Sequence, residues 1–355
     1  MLTTTSSALE ILEYHKSITW PIIDASLTNP TFPKHFGIPE EFQSEVKYYW
    51  EIAREYPLRK GKYVRPTVLA LAALSMGAKE SDYKNVAAAM QLSEDWILIQ
   101  DDWEDDSPER RGKPTLHLMY PEKLAINATS GMQTIMWNLL AKASSSNSVR
   151  QKKIMDEFYL MLTRTVIGQH VDIDYVEKNI TDYSDQDWYF IADSKTSYYT
   201  VAGPLRLGAI VSGATESQLE ILTRFGLNLG RCFQLVDDLL DITTDFGGRK
   251  QLGNDIYESK RTLILGHLIR SAHPNDKKRI ISIISKSRKM KTEKDITFIT
   301  TMMTTYGSIE YAQKLAKEYK EKANEILESE MDFIKVEPYR SNLKTLMTFI
   351  LDRKH

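Results

Sequence analysis

The stretch that decides the fold is MQLSEDWILIQDDWEDDSPERRGKP, residues 90–114. An apolar run fills its first half and ends in three carboxylates with the pattern D-D-x-x-D, at Asp101, Asp102 and Asp105. Most acidic runs are solvated helix faces. Carboxylates are almost never placed at the end of an apolar helix, however, unless something pairs with them. The stretch therefore predicts a helix whose end carries a cation site.

A second apolar run, LNLGRCFQLV at residues 227–236, ends in the same pattern at Asp237, Asp238 and Asp241. Two such clusters, more than a hundred residues apart in sequence, could face each other across a cavity. Together they would bind cations and, through the cations, a strongly anionic ligand.

The spacing within each cluster indicates which cation. Residues four apart lie on one face of a helix, so Asp101 and Asp105 repel each other unless a divalent cation lies between them. Asp237 and Asp241 form an equivalent pair. Because no His or Cys accompanies either cluster, oxygen-only ligands favour Mg²⁺ over zinc or copper. Mg²⁺ is commonly shared between carboxylates and substrate phosphates, which predicts a diphosphate ligand.

The rest of the chain is predicted to be helical. Apolar residues recur at i, i+3, i+4 and i+7, and strand-like alternation is rare. Pro and Gly number only 12 and 16, and they tend to cluster between these segments. The predicted helices are 5–25, 38–55, 63–76, 82–105, 121–144, 147–178, 185–192, 196–212, 216–243, 256–271, 275–287, 292–330 and 337–352. Irregular stretches are expected near 26–37, 107–116 and 244–254. No low-complexity linker divides the chain, so residues 1–355 are predicted to form a single all-α domain.

Composition narrows the class of protein. Hydrophobic residues make up 42% and charged residues 26%, as in a globular protein with a large core. The net charge of −2 gives no indication of nucleic-acid binding. No run of eighteen apolar residues predicts a membrane-spanning helix, and the N-terminus lacks the features of a signal peptide. Cys232, the single cysteine, is expected to be buried and inert. We expect a cytoplasmic protein.

Basic residues lie at the turns that flank both clusters. Arg110 and Arg111 precede Gly112 and Pro114, which should end the helix, and guanidinium groups suit bidentate contacts with phosphate. Another helix should open near Lys62, and its N-terminus also favours anions. Singly, each of these cations would be read as a surface charge. The set that accompanies the clusters is Lys62, Arg65, Arg110, Arg111, Lys250 and Lys260.

Seven motifs in order resemble one family. They are GKYVRP (61–66), DDWEDDSPERRGKPT (101–115), GQHVD (168–172), KT (195–196), FQLVDDLLD (233–241), KQLGND (250–255) and KRT (260–262). One D-D-x-x-D is weak, since terpene cyclases carry it too. The two aspartate motifs together, with the arginine pair after the first, are specific. The chain resembles the trans-prenyltransferases, or isoprenyl diphosphate synthases, which include farnesyl and geranylgeranyl diphosphate synthases.

The resemblance implies a fold and a reaction. The fold is the isoprenoid-synthase helical bundle around a central cavity. The reaction is the head-to-tail condensation of isopentenyl diphosphate with an allylic diphosphate (dimethylallyl, geranyl or farnesyl), with about three Mg²⁺ ions per active site. Members are usually homodimers, and segment 121–144 is apolar enough to form the interface.

The resemblance also implies roles for single residues. All six aspartates of the clusters form the metal sites, with two ions on Asp101 and Asp105 and a third on Asp237, near Asp241. The allylic diphosphate is gripped by Arg110, Lys195 and Lys260, and isopentenyl diphosphate by Lys62, Arg65 and Arg111. Neutral dipoles that face the allylic cation come from the Lys195 carbonyl, Thr196 and Gln234. Gln169 and Asp172 would complete the surroundings of the metals and of Lys195, and Gln169 and Lys250 would also contact the substrates.

The sequence departs from the family pattern in a few places. Glu94 stands where His or Gln is common near isopentenyl diphosphate. A carboxylate there would repel a diphosphate unless it pairs with Lys62 or Arg65, or is protonated. Lys60 and Ser259 stand where glycines are frequent. No departure removes a metal ligand, so we expect an active enzyme.

Bulk before the first cluster is expected to set the product length. Trp96 lies five residues before Asp101, about 7–8 Å along a helix axis. Ile97 and Ser93 are its neighbours on the helix. A tryptophan in an apolar helix can also simply pack in the core. The aromatic at this position resembles geranylgeranyl diphosphate synthases of the archaeal type, so the expected product is geranylgeranyl diphosphate, with farnesyl diphosphate as the alternative.

Two other functions fit parts of the pattern. A terpene cyclase or squalene-synthase-like enzyme would share the aspartates, but such enzymes tend to lack the arginine pair and the Lys62–Arg65 site. A non-catalytic regulatory subunit of a prenyltransferase would usually have lost one of the aspartate clusters, and both are intact here.

Overall fold

A computed structural model of the chain describes residues 2–28, 35–143, 146–243 and 252–351. These residues are predominantly helical and contain almost no strand, which confirms the predicted all-α fold. The α-helices are α1 (Ala8–Thr28), α2 (Gln43–Leu58), α3 (Val64–Ser75), α4 (Glu80–Glu104), α5 (Leu116–Met119), α6 (Glu122–Lys142), α7 (Ser148–Glu177), α8 (Asp185–Ile191), α9 (Gly203–Val211), α10 (Glu216–Thr243), α11 (Asn254–Tyr257), α12 (Leu263–Ser271), α13 (Pro274–Ile284), α14 (Glu293–Thr305), α15 (Ser308–Ser329) and α16 (Tyr339–Leu351). A π-helix occupies Ala192–Ala202, and two-residue strands β1 (Glu109–Arg110) and β2 (Lys113–Pro114) form a hairpin.

Three predicted segments differ from the structure, and two of the differences have a local cause in the backbone. The single helix predicted at 292–330 is wrong, because the chain breaks at Gly307, whose φ is +68°. The helix predicted at 256–271 is also wrong, since it is interrupted at Ser259, with φ +60°. The segment at 196–212 is part π-helix and part α-helix.

Two departures from the family pattern lie where the backbone has a positive φ. Lys60 has φ +48° and Ser259 has φ +60°, a backbone region that favours glycine. Both positions therefore keep a backbone that glycine would adopt without strain, although neither carries one here. Ser259 has compensating contacts, because its hydroxyl donates to the Ile284 carbonyl and accepts from Lys291.

The chain forms two compact units, each built from separate stretches of sequence. Unit 1 consists of Met1–Phe158, Pro204–Leu219 and Phe333–Leu346. Unit 2 consists of Tyr159–Gly203, Glu220–Asp332 and Met347–His355. The expectation of a single domain over residues 1–355 stays a prediction.

The core of unit 1 is built around α3 and α4. Residues Pro66–Ser75 of α3 are all buried, as is the Val86–Ser93 stretch of α4. A helix that is apolar on all sides must be enclosed by others. Gly208 of α9 lets the two backbones approach, since a Cβ there would lie 2.3 Å from the Leu69 carbonyl oxygen. Most of α4 is therefore held rigidly before it reaches its acidic end.

In unit 2 the π-helix packs closely on α10. A Cβ at Gly226 would lie 2.5 Å from the Ala202 Cα, and one at Gly230 would lie 2.4 Å from the Ser197 Cα. Gly226 and Gly230 are one turn apart and so form one smooth face of α10. This face fixes the π-helix, in which the Tyr198 carbonyl accepts from the Gly203 amide five residues later.

Three further expectations concern membrane-spanning helices, the single cysteine and the dimer interface. In the described ranges, no helix combines the length and apolar character needed to cross a bilayer. Cys232 is buried in α10, as predicted. Segment 121–144 contains α6, and the homodimer expected through it stays a prediction.

Candidate active site

The first aspartate cluster forms the last turn of α4. The Asp105 amide donates to the Asp101 carbonyl at 2.9 Å, so these two residues lie one turn apart at the end of the helix. Both side chains are half-buried. Asp102 is fully buried by contrast. The three aspartates are thus separated into two partly accessible carboxylates and one that the protein encloses.

Asp102 is enclosed by two partners. The Tyr56 hydroxyl donates to its Oδ2 at 2.7 Å, and Arg110 Nε lies 3.0 Å from both of its oxygens. Burial and then the charge of Asp102 raise the pKa of Tyr56, so the phenol stays protonated and keeps donating. Asp102 therefore holds Tyr56 and Arg110 in place. The sequence analysis predicted only a metal-binding role for it.

The two arginines after the cluster sit on the β1–β2 hairpin. Arg110 pairs with Lys113 across it, and the turn between them consists of Arg111 at φ +54° and Gly112 at φ +77°. Two consecutive positive φ values are typical of a type I′ turn. Arg59 fixes the hairpin by donating to the carbonyls of Arg110 (2.9 Å) and Pro114 (2.8 Å). The hairpin holds Arg110 and Arg111 in defined and different places.

Arg111 joins a second cluster in unit 1. Its Nη1 donates to Asp95 at 3.0 Å, and its Nη2 lies 3.8 Å from Glu94. The same Glu94 oxygen lies 3.1 Å from Arg65 Nη1. One condition stated from the sequence for tolerating Glu94, a pairing with Arg65, is thus met. Gly61 allows this arrangement, because a Cβ there would lie 2.6 Å from the Arg111 guanidinium.

Asp95 is the deepest member of this cluster, with a side chain only 1% exposed. Burial raises its pKa to about 6, against the opposing effect of the Arg111 charge. The sequence analysis missed this residue, although a second acid next to Glu94 in an apolar helix was a usable signal. Lys62, just before α3, is exposed.

The residues predicted to control product length lie on α4. Trp96 is 5% exposed and Ser93 is fully buried, while Ile97 is half-buried. Ser93 donates to the Met90 carbonyl at 2.7 Å. The indole Nε1 of Trp96 is buried and has no hydrogen-bond partner in the part of the chain that the structure describes. This placement is compatible with core packing and with a role in product length, so the latter stays a prediction.

The second aspartate cluster lies on α10 in unit 2. Asp237 is exposed, whereas Asp238 and Asp241 are buried. Gln234 donates to Asp238 Oδ1 at 2.7 Å, so its amide is engaged by the cluster. Burial, followed by the charge of Asp255, raises the pKa of Asp238 well above its usual range. Its Oδ2 is buried and has no hydrogen-bond partner among the described residues.

Asp255 is a site residue that the sequence analysis missed, although it ends the quoted motif KQLGND. Its amide donates to Asp241 Oδ2 at 3.0 Å, which ties α11 to the cluster. A small cavity is lined by Asp238, Asp255 and Lys260 together with apolar residues. The Lys260 ammonium lies 2.8 Å from Glu258 and 3.9 Å from Asp255. Lys250 lies outside the described residues.

Lys195 and Thr196 lie in the π-helix, a form often found at functional sites. Lys195 donates to Asp172 at 2.7 Å, as the expected proximity of these residues requires. Both side chains are half-buried, as are those of Thr196 and Gln169. A Cβ at Gly168 would lie 2.6 Å from the Lys195 amide nitrogen, so α7 approaches the π-helix at this point.

Carboxylates thus neutralise most of the cations predicted to bind diphosphate. The pairs are Arg65–Glu94, Arg110–Asp102, Arg111–Asp95, Lys195–Asp172 and Lys260–Glu258. Within the described residues, no three His, Cys, Asp or Glu side chains come close enough to hold a metal by themselves.

The sequence model of the family described as polyprenyl synthetase matches residues 46–303. The chain belongs to this family. A short chain isoprenyl diphosphate synthase of Methanothermobacter thermautotrophicus is 28% identical over 83% of this chain and 87% of its own length. A geranylgeranyl diphosphate synthase of Methanosarcina mazei is 28% identical over 89% of this chain and 91% of its own length. The crystal structure of a geranylgeranyl pyrophosphate synthetase from Pyrococcus horikoshii matches with a TM-score of 0.82 at 26% identity, over 97% of this chain and 99% of that one.

These comparisons show a prenyltransferase of the trans-prenyl diphosphate synthase family, as the motifs predicted. They do not fix the product. Relatives of similar identity are named for geranylgeranyl, geranylfarnesyl and octaprenyl diphosphate. Product length in this chain is therefore a question for its own residues.

Proposed function

We propose that this polyprenyl synthetase elongates an allylic diphosphate by head-to-tail condensation with isopentenyl diphosphate, and that its main product is geranylgeranyl diphosphate. One observation carries the proposal. Arg110 and Arg111 are adjacent in sequence, yet they pair with different carboxylates, Asp102 and Asp95. The hairpin therefore supports two anion sites. A terpene cyclase, which binds a single diphosphate, would need only one.

The acidic residues fit Mg²⁺ as the metal. All donors in the clusters are carboxylate oxygens, and Asp238 keeps a buried oxygen that no described residue satisfies. The ions would be held by Asp101 and Asp105 and by Asp237 and Asp241. When bound, Mg²⁺ would draw negative charge from the leaving diphosphate. Asp102 would orient Arg110, and Asp238 would orient Gln234, because each carboxylate accepts a hydrogen bond from that side chain.

The basic residues would bind the substrates. Arg110, Lys195 and Lys260 would hold the allylic diphosphate, because charge-assisted hydrogen bonds to the leaving group strengthen as its C–O bond breaks. Lys62, Arg65 and Arg111 would hold isopentenyl diphosphate with its double bond towards the allylic carbon. That double bond would attack the allylic carbon as the diphosphate leaves, forming the new C–C bond. The adduct would then lose a proton to the released diphosphate, which forms the new trans double bond.

The π-helix would stabilise the allylic cation without a charged group. Its backbone hydrogen bonds span five residues, so its carbonyls are arranged differently from those of an α-helix. The Lys195 carbonyl and the Thr196 hydroxyl would present neutral dipoles to the cation. Gln234 would contribute its amide oxygen, since its amide nitrogen donates to Asp238.

A radiolabelled elongation assay tests the proposal. The protein is incubated with Mg²⁺, labelled isopentenyl diphosphate and dimethylallyl, geranyl or farnesyl diphosphate, with a chelator added to a parallel sample. We expect elongation from at least one primer, products that end mainly at geranylgeranyl diphosphate, and no product with the chelator. A protein that elongates none of the three primers would contradict the proposal.

A further inference from the structure

The cluster around Glu94 has more negative charge than a diphosphate site needs. Arg65 and Arg111 contribute two positive charges, and Glu94 and Asp95 contribute two negative ones, within pair distances of 3.0 to 3.8 Å. An arginine that already donates to a carboxylate has fewer N–H groups left to offer a phosphate.

The two carboxylates differ in how firmly they are held. Asp95 is 1% exposed, and its partner Arg111 Nη1 also donates to the Tyr56 carbonyl at 3.2 Å. Glu94 is 13% exposed and its partner Arg65 is 21% exposed. Asp95 is therefore enclosed in the core, while Arg65 is the most exposed member of the cluster and lies where a ligand has access.

Glu94 is also incompletely satisfied. Its Oε1 receives both arginine contacts, whereas its Oε2 is buried and has no hydrogen-bond partner in the described part of the chain. A buried carboxylate oxygen without a donor makes the pair less stable than a fully bonded one. The Glu94–Arg65 pair is thus one that a stronger anion can displace.

We infer that Glu94 is an internal competitor for Arg65, which an incoming isopentenyl diphosphate must displace, and that it thereby sets the affinity of the acceptor site. This inference rests on the proposed function and names the residue that regulates that site. A diphosphate carries more charge than a carboxylate and bonds through several oxygens, so it wins the competition at sufficient concentration. Glu94 acts through Arg65 and lowers the affinity for isopentenyl diphosphate. It does not touch the reacting atoms.

The test is Glu94→Gln, with steady-state kinetics for each substrate. The amide keeps the size of the side chain but removes the negative charge that competes for Arg65. We expect the KM for isopentenyl diphosphate to fall about tenfold, the expected size for one charge-assisted contact. The KM for the allylic diphosphate and kcat should change less than about twofold. Glu94→Ala should lower the same KM.

The control is Glu157→Gln, which removes the carboxylate of another ion pair in unit 1. Glu157 pairs with Arg206 at 2.7 Å and belongs to neither predicted diphosphate site. It should lower stability and leave both KM values unchanged. Circular dichroism confirms that each variant is folded.

The outcomes separate the two claims. If the wild type elongates no primer, the proposed function fails. If the wild type elongates but Glu94→Gln leaves the isopentenyl diphosphate KM unchanged or raises it, Glu94 positions Arg65 and the competition is refuted. If neither Glu94 variant folds, Glu94 is a structural residue, which also overturns the inference.

Discussion

Arg110 donates from Nε to both carboxylate oxygens of Asp102 at 3.0 Å, so the second aspartate of the first motif holds the first arginine that follows it. The Tyr56 hydroxyl adds a further bond at 2.7 Å. The spacing of this stretch therefore serves two purposes, since the enclosed aspartate orients an arginine while its neighbours remain partly accessible.

Substitutions at the aspartates of the first cluster should therefore have different effects on stability and on activity. Asp102→Asn breaks a buried ion pair and should lower the free energy of unfolding by about 3–5 kcal/mol. Asp101→Asn should change stability by less than about 1 kcal/mol, because its side chain is partly exposed, but should abolish elongation. Denaturant unfolding and the elongation assay measure the two effects. An Asp102→Asn protein as stable as the wild type would refute the structural role.

His15 should make stability depend on pH. It is 1% exposed, neither ring nitrogen has a hydrogen-bond partner among the described residues, and burial lowers its pKa to about 4. Between pH 4 and the ordinary value of 6.5 the unfolded state binds more protons, so the free energy of unfolding rises with pH across this window. The contribution is about 3 kcal/mol when fully present above pH 6.5 and is lost on acidification.

His15→Leu tests this dependence. The difference in unfolding free energy between wild type and variant should change by about that amount between pH 7 and pH 4. A constant difference for His15→Leu would mean that its imidazole gains access to water or a partner.

Trp96 should limit the length of the product. Trp96→Ala removes a buried indole from α4 and should shift the products towards longer chains, as chromatography of the labelled products would show. Trp96→Phe should give an intermediate shift. Trp103→Ala, which removes an exposed indole on the same helix, should leave the product lengths unchanged. An unchanged distribution for Trp96→Ala would assign Trp96 to core packing alone.

The contact between Gly168 and the π-helix should be needed for activity. In Gly168→Ala the new Cβ would lie 2.6 Å from the Lys195 amide nitrogen and 2.7 Å from the Ser194 Cβ, so the π-helix must shift. We expect a loss of about 1–3 kcal/mol in stability and a lower kcat. Gly37→Ala, where nothing lies within 4 Å of the added atom, should be neutral in both measurements. Unchanged kcat in Gly168→Ala would show that Lys195 tolerates displacement.

Much of the fold was readable from the sequence because helices have a local signature. The apolar period placed most helices within a few residues. Gly112 and Pro114 were expected to end the helix, but α4 ends at Glu104 and both residues lie in the β1–β2 hairpin. The breaks at Ser259 and Gly307 were missed. Serine is not a usual left-handed residue, and the apolar period continues on both sides of Gly307.

The candidate site was readable in its residue types but not in its pairings. The motifs pointed to the aspartates, arginines and lysines, and the need of Glu94 for a partner was evident from its charge. That Asp102 would take Arg110, and Asp95 would take Arg111, depends on a type I′ turn at Arg111 and Gly112 that no helical or family pattern encodes. Burial, which separates Asp102 from its neighbours, is a property of the packed molecule.

The discontinuous make-up of unit 1 has a consequence for biosynthesis. The Ser75 carbonyl accepts from the amides of Lys335 (3.0 Å) and Val336 (2.9 Å), so the end of α3 is completed by the Phe333–Leu346 segment. Domains often begin to fold while the ribosome is still adding residues. Here the N-terminal 158 residues must wait for nearly the whole polypeptide before their last backbone partners emerge. A nascent chain stalled before residue 333 would therefore lack a finished unit 1, and its exposed apolar surface would make it a substrate for chaperones.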